Sequence, residues 1–203
     1  MILFTTILLL VLSLGAPTIC DAQEIRQPIG EAPQKEFVYR LPYAKRISAT
    51  AMQQSAIAAH HYHEDNLVGF TCWQFSWQNG NGDVYAVRKG VVSQIGEYVE
   101  VIHADGTASR YAGVAYESLR VKKGDMVWPD TIIGEAAKDE NGNFCMELEL
   151  YYLTPRPEGH RTRASYLRHY IDPLFSTTRG TIQLQEGKTY KAKANKKLIV
   201  KEK

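Results

Sequence analysis

Alternating apolar and polar positions are the clearest signal in the chain, and the stretch NFCMELELYY, residues 143–152, alternates almost without fault. In an extended strand, successive side chains point to opposite faces. One face would be apolar and consists of Phe144, Met146, Leu148, Leu150 and Tyr152. The other face carries a thiol and two carboxylates, Cys145, Glu147 and Glu149. The pattern predicts a strand with one face on a core and a polar row on the other.

Similar short runs extend from about residue 70 to residue 175 and are separated by Gly and Asn-Gly turns. The runs are FTCWQFSW, DVYAVRKGVVSQI, YVEVIHA, ASRYAGV, DMVWPD and TIIGEAA, besides the stretch above. The turns are NGNGD, ADGT, KKGD and ENGN. Many short strands with frequent turn signals are typical of an all-β sandwich or barrel. In FTCWQFSW the aromatic side chains share one face, which predicts core positions for Trp73, Phe75 and Trp77.

The flanking segments differ in character. Residues 23–45 contain three prolines and predict an extended lead-in with a short strand at EFVYRLPY. Residues 47–66, ISATAMQQSAIAAHHYHEDN, are rich in Ala and Gln, so we predict an N-terminal helix capped by Ser48. Seven lysines follow Glu186, which indicates a solvated tail or an edge strand with a preference for anionic envelope polymers.

Composition and the first residues narrow the class of protein. The 203-residue chain is 44% hydrophobic and 23% charged with a formal net charge of +2, so it lacks the basic character of a nucleic-acid binder. The apolar run from Ile2 to Leu14 is typical of a signal peptide that is cleaved after residue 22 and is too short to span a membrane. We therefore predict an exported, periplasmic or extracellular protein without a stable membrane span; lipid anchoring at Cys20 is the alternative.

Removal of residues 1–22 leaves two cysteines, Cys72 and Cys145. Two cysteines in an oxidising compartment are typical of one disulfide.

The region from about residue 70 to residue 175 resembles the LytM/lysostaphin-type peptidoglycan metallopeptidases. The matching pieces, in chain order, are residues 84–86 (VYA), 90–92 (GVV), 101–106 (VIHADG), 111–114 (YAGV), 121–127 (VKKGDMV), 133–134 (IG) and 172–173 (DP). The resemblance implies the two-sheet β-sandwich of duplicated hybrid-motif type. With the flanks, it predicts a signal peptide at 1–22, a lead-in plus helix at 23–69, a LytM-like domain at 70–176 and a Lys-rich tail at 177–203.

The resemblance also locates a site. In this family a His-x-x-x-Asp pair and the second His of a His-x-His strand hold a catalytic zinc, and other histidines move protons. The corresponding positions here are Cys72, Ser76, Gly113, Cys145, Glu147 and Glu149. Every histidine and the aspartate are replaced, so the resemblance implies a degenerate site with no catalytic residue, no metal and no cofactor.

Two hypotheses remain for this site. The resemblance places Cys72 and Cys145 at neighbouring ligand positions, which implies a disulfide across the site. The alternative is a remodelled zinc site of Cys72, Cys145 and Glu147, because two thiolates and a carboxylate can bind zinc.

The predicted function is that of an exported, catalytically inactive LytM-like module that binds peptidoglycan or an envelope protein. The alternatives are a peptidoglycan metallo-endopeptidase with altered zinc ligands and an interaction protein that kept only the sandwich. The histidines of HHYHED, residues 60–65, are predicted to end an exposed helix, and His103 is predicted to be structural. The basic segment EGHRTR, with Arg168 and His169 after it, is either a solvated loop or a contact for anionic groups.

Overall fold

A computed structural model describes residues 38–54, 72–155 and 166–193. These residues form β-strands joined by short loops, with one turn of 3-10 helix at Tyr116–Ser118. The strands are β1 Val38–Arg40, β2 Ser48–Gln54, β3 Cys72–Trp77, β4 Asp83–Tyr85, β5 Gly90–Ile95, β6 Tyr98–Ile102, β7 Thr107–Ala112, β8 Met126–Val127, β9 Ile132–Glu135, β10 Ala137–Lys138, β11 Phe144–Pro155, β12 Tyr166–Tyr170, β13 Leu174–Thr177, β14 Gly180–Gln183 and β15 Lys188–Lys191. The predicted mainly β fold class is confirmed.

Most strands belong to one large sheet, with β11 near its centre. The strand order is β15-β2-β3-β11-β7-β6-β5-β8, and β10 and β12 also pair with β11. Smaller sheets are formed by β1-β13-β14 and by β4-β9. All neighbours are antiparallel except β1 and β13. The long strand β11 therefore connects most parts of the sheet.

The hydrophobic core lies between one face of the large sheet and the two smaller sheets. Trp73, Phe75 and Trp77 of β3 are buried in it, as the alternation predicts. The ring centroid of Phe75 lies 6.2 Å from that of Phe175 on β13 and 5.6 Å from that of Tyr43. Edge-to-face rings at these distances are a favoured aromatic packing geometry. The apolar face of β11 joins the same core, which leaves its polar row on the opposite face of the sheet.

The helix predicted from residue 47 is wrong over residues 48–54, which form strand β2. Ala49 and Ala51 are buried, whereas Ser48 and Thr50, which precede each of them, are not, so the segment has the two-residue period of a strand. β2 pairs with β15 on one side and with β3 on the other. Hydrogen bonds to two neighbours and burial of the alanines override the helix propensity of Ala and Gln. Residues 55–66, with the histidines of HHYHED, lie outside the described ranges.

The termini are described only in part. β15 is the edge strand at one end of the large sheet, so the edge-strand alternative is confirmed for residues 188–191. Residues 1–22, including Cys20, and residues 194–203 are not described. No helix in the described ranges has the length and hydrophobicity of a membrane span.

Candidate functional site

The polar face of β3 and β11 brings the sequence-predicted site positions together. Glu149 lies opposite Cys72, Glu147 opposite Gln74, and Cys145 opposite Ser76. We call these six residues the polar row. They share the sheet face that points away from the core, because they alternate with buried apolar residues on both strands.

Gly113, directly after β7, completes the set of predicted positions. Its φ of +74° lies in the left-handed region, which glycine adopts without strain. A Cβ atom added to Gly113 would lie 3.1 Å from the carbonyl oxygen of Cys145 and 3.3 Å from Cα of Met146. The backbone of Gly113 therefore lies directly against β11, and a side chain there would crowd that strand.

The predicted Cys72–Cys145 disulfide is not formed: both cysteines are free. The pairing register gives the physical reason. Cys72 faces Glu149, four residues beyond Cys145 along β11. At ~3.3 Å per residue the two cysteines are separated by ~13 Å along the strands, whereas a disulfide requires Cα atoms ~4.4–6.8 Å apart.

The two thiols are held in their neutral form. Cys72 is fully buried, and burial, followed by the charges of Glu147 and Glu149, raises the pKa of its thiol. Burial, Glu147 and Asp139 also raise the pKa of the half-buried Cys145. Because the thiolate is the nucleophilic form, these environments do not suit either cysteine to act as a nucleophile.

A charged cluster at the Cys72 end of the polar row was not foreseen from the sequence. Glu149 is only 7% exposed, and one of its carboxylate oxygens lies 3.2 Å from Nη1 of Arg110 and 3.6 Å from Nη1 of Arg168. The guanidinium carbon of Arg110 lies 3.5 Å from the ring centroid of Tyr98, and that of Arg168 lies 4.3 Å from the ring centroid of Tyr151. Ion pairs with Glu149 and cation–π contacts with the tyrosine rings together hold both guanidinium groups in place. We call Arg110, Glu149 and Arg168 the arginine bridge.

The arginine bridge brings together residues that are distant in the sequence. Arg110 lies opposite Glu149 on β7, and Arg168 lies opposite Leu153 on β12. β12 was not among the predicted strands, and only the pairing of β11 with β12 places Arg168 here. Arg168, predicted to be either a solvated residue or a contact for anionic groups, contacts an anionic group of the protein itself, Glu149. The EGHRTR segment before it is not described.

A second carboxylate, Glu100 on β6, is fully buried beneath the same face. It accepts a hydrogen bond of 2.6 Å from Oγ of Ser93 and another from the hydroxyl of Tyr151. Its alternation with the core residues Val99 and Val101 is the sequence signal that places it on this face. A buried carboxylate with such donors is a structural group.

Glu147 differs from both of these carboxylates. It is half-buried, and it makes no hydrogen bond or ion pair with another residue of the described ranges. Burial, with the negative charge of Glu149, raises the pKa of Glu147, and Arg110 partly offsets that rise. Glu147 is thus the carboxyl group of the polar row that remains available to a ligand.

The polar row does not fit a zinc ion. Within the described ranges, no three His, Cys, Asp or Glu side chains are grouped as metal ligands. The hypothetical set of Cys72, Cys145 and Glu147 does not converge because of the four-residue offset between the thiols. The positions that the sequence resemblance aligns with zinc ligands carry the buried thiol of Cys72, the hydroxyl of Ser76 and the carboxyl group of Glu147. A catalytic zinc needs three protein ligands and one open position, and these groups do not offer them.

His103 lies on the core side of the sheet, as a structural residue would. It is buried, and its Nδ1 lies 2.8 Å from the carbonyl oxygen of Lys89, to which it donates. Burial lowers the pKa of His103 to about 4, so the ring is neutral at physiological pH. His169 is elsewhere, with its ring stacked on Tyr152 at a centroid distance of 4.9 Å. Neither described histidine belongs to the polar row.

No protein-family model matches the chain, and no curated protein matches it. Similar solved structures include the M23 metalloprotease pseudoalterin from the deep sea, with 15% identity and a TM-score of 0.43 over 79% of this chain and 98% of that one. Csd3 from Helicobacter pylori has 17% identity and a TM-score of 0.39 over 66% of this chain and 35% of that one. A chain of the SpoIIQ–SpoIIIAH pore-forming complex has 16% identity and a TM-score of 0.39 over 67% and 89%. These are distant likenesses of the backbone, and no residue's role is carried over from them.

Proposed function

We propose that this chain is an exported, catalytically inactive, peptidoglycan-peptidase-like domain that serves as a binding or regulatory module of the cell envelope. The resemblance of residues 70–175 to the LytM/lysostaphin family supports the class. One observation supports the inactivity. The arginine bridge fixes two cations beside the polar row, and the neutral thiol of Cys72 is buried in that row. A zinc hydrolase needs at that place an ion, its ligands and a bound water.

The same geometry supports binding without cleavage. The polar row offers groups that can contact a ligand, namely the carboxyl group of Glu147, the amide of Gln74 and the hydroxyl of Ser76. Neither of the two histidines in the described ranges, His103 and His169, lies in the polar row to act as the base that a nucleophile there would need. The partner is peptidoglycan or an envelope protein, and Glu147 is the residue through which we expect it to bind.

The first experiment tests the inactivity. Mature protein, residues 23–203, is purified, analysed for metal and incubated with muropeptides in the presence of added zinc. We expect no stoichiometric zinc and no cleavage. Stoichiometric zinc together with digestion would establish the metallo-endopeptidase with altered ligands and overturn the proposal.

The second experiment tests the partner. Wild-type protein is sedimented with insoluble peptidoglycan beside Glu147→Gln and the control Glu97→Gln, which removes an equal charge from an exposed turn. We expect wild type and Glu97→Gln to pellet and Glu147→Gln to pellet several-fold less. A wild-type protein that stays in the supernatant rules out the wall-binding version; pelleting that is equal in all three excludes Glu147 as the contact.

A further inference from the structure

A concave basic pocket lies at the β15 edge of the large sheet, three strands away from β11. Its volume is about 290 Å³. The side chains that give it polar character are the hydroxyls of Ser48, Thr177, Thr178 and Thr189 and the cations of Arg179 and Lys191. No acidic residue lines it.

Hydrogen bonds fix the shape of this pocket. The turn between β13 and β14 lies across the end of β15, because the amide of Thr178 donates to the carbonyl of Lys191 at 3.2 Å. Within the turn, Oγ1 of Thr177 accepts from the amide of Arg179 at 3.1 Å and donates to the carbonyl of Gly180 at 3.0 Å. On the sheet side, Ser48 lies opposite Lys191. The two cations are therefore presented by a closed turn and a paired strand.

Neither cation is neutralised within the described ranges. No ion pair there involves Arg179 or Lys191. The sequence from residue 192 to residue 203 adds five lysines and a single glutamate. Uncompensated positive charge in a concavity raises the local concentration of anions.

The hydroxyl groups indicate which anion fits. Those of Ser48 and Thr178 make no hydrogen bond to a described residue, so both can donate to a ligand. A phosphate group offers several acceptor oxygens, which suits two cations and two hydroxyls at once. The guanidinium of Arg179 can bind two of these oxygens with parallel hydrogen bonds, whereas Lys191 acts as a point charge.

We propose that this pocket is a binding site for a phosphate group, carried either by a small molecule or by a polyanion. This binding site is separate from the polar row and lies at a different part of the sheet. The proposal therefore does not depend on the function proposed above. Its volume approaches that of small-ligand sites, ~300–1,000 Å³, so it can hold the phosphate together with part of its carrier.

Titration with inorganic phosphate and with inorganic polyphosphate tests the site and separates the two sources. Binding is measured by calorimetry and by the amide NMR shifts of Thr178, Arg179 and Lys191. The variants are Arg179→Gln and Lys191→Gln. Lys188→Gln is the matched control, because Lys188 is also exposed on β15 but does not line the pocket. Thermal melts confirm that all variants fold.

Loss of one charge-assisted contact should weaken binding about tenfold in Arg179→Gln and in Lys191→Gln. Lys188→Gln should stay within about threefold of wild type, since it alters only the diffuse field. Saturable binding of inorganic phosphate identifies a small-molecule site, and binding of polyphosphate alone identifies a polymer site. Absence of binding to both probes, or equal weakening in all three variants, overturns the proposal.

Discussion

The two faces of β3 and β11 show how one strand pattern serves two different kinds of constraint. On the core face, residues such as Phe75 and Leu148 are fixed by packing, and any apolar side chain of the right volume satisfies the hydrophobic effect. On the opposite face, Glu149 is fixed by particular partners, Arg110 and Arg168. The core face accepts different apolar side chains as long as their volume is conserved. The arginine bridge requires both the charge and the shape of its particular side chains.

The largest expected effect lies on the core face. Phe75 is fully buried between Tyr43 and Phe175, so Phe75→Ala leaves a cavity and should lower the free energy of unfolding by ~3–5 kcal/mol. Urea denaturation measures the change. The matched control is Ser76→Ala, the next residue on the opposite face, which should change stability by less than ~0.5 kcal/mol. Equal losses in the two variants would contradict the division of β3 into a packed and an open face.

The sequence was sufficient to predict the faces. The alternation in β3 and β11 depends only on the two-residue period of a strand and on burial, and both are local properties. The alternation places Cys145, Glu147 and Glu149 on one face of their strand, whereas the expectation that they lie beside Cys72 and Ser76 came from the family resemblance. The Ala-rich β2 shows the limit of this approach: burial of Ala49 and Ala51 depends on β3 and β15, which are remote in the chain.

The register was beyond the reach of a single sequence. Whether Cys72 lies opposite Cys145 or opposite Glu149 depends on loops and distant turns. The observed four-residue offset between the two cysteines is what prevents the predicted disulfide. The partners of Arg168 and Glu100 were missed for a related reason. Arg168 reaches Glu149 through the pairing of β12 with β11, and Glu100 on β6 reaches Tyr151 on β11 across the intervening strand β7. Such partners are specified by tertiary structure and not by a local pattern.

Acid should act through His103, a buried histidine on the core side. Its folded pKa of about 4 lies below the ordinary histidine value of 6.5, so the unfolded chain takes up the proton first as the pH falls. The contribution of His103 to the free energy of unfolding is therefore fully present above pH 6.5. It decreases as the pH falls toward 4, by about 3 kcal/mol in total. His103→Gln, which can still donate to the Lys89 carbonyl, should lose less stability over this range in denaturation experiments. NMR titration of the His103 ring near its ordinary pKa would refute this account.

On the polar face, the arginine bridge should be the most sensitive element. Glu149→Gln removes the anion between two cations whose side chains are only 20% and 33% exposed, and should cost about 2 kcal/mol. Urea denaturation tests this loss. In a double-mutant cycle, Arg168→Gln should cost less in the Glu149→Gln background than in wild type, because the two residues interact. Additive effects would show that the bridge contributes no coupling.

The smallest effect, and the sharpest contrast within one strand, is expected at Glu147, two residues before Glu149. The folded pKa of Glu147 is raised above the ordinary glutamate value of 4.5. Its contribution to stability is therefore present below pH 4.5 and is lost as the pH rises through the folded pKa. Glu147→Gln does not titrate. At pH 7 it should therefore be as stable as wild type or more stable, by up to ~1 kcal/mol since the carboxyl is only half-buried, and this advantage should vanish near pH 4. Urea denaturation at both pH values measures the difference. A Glu147→Gln variant that is less stable than wild type at pH 7 would mean that the carboxylate has a stabilising partner, and the case for its binding a ligand would fail with it.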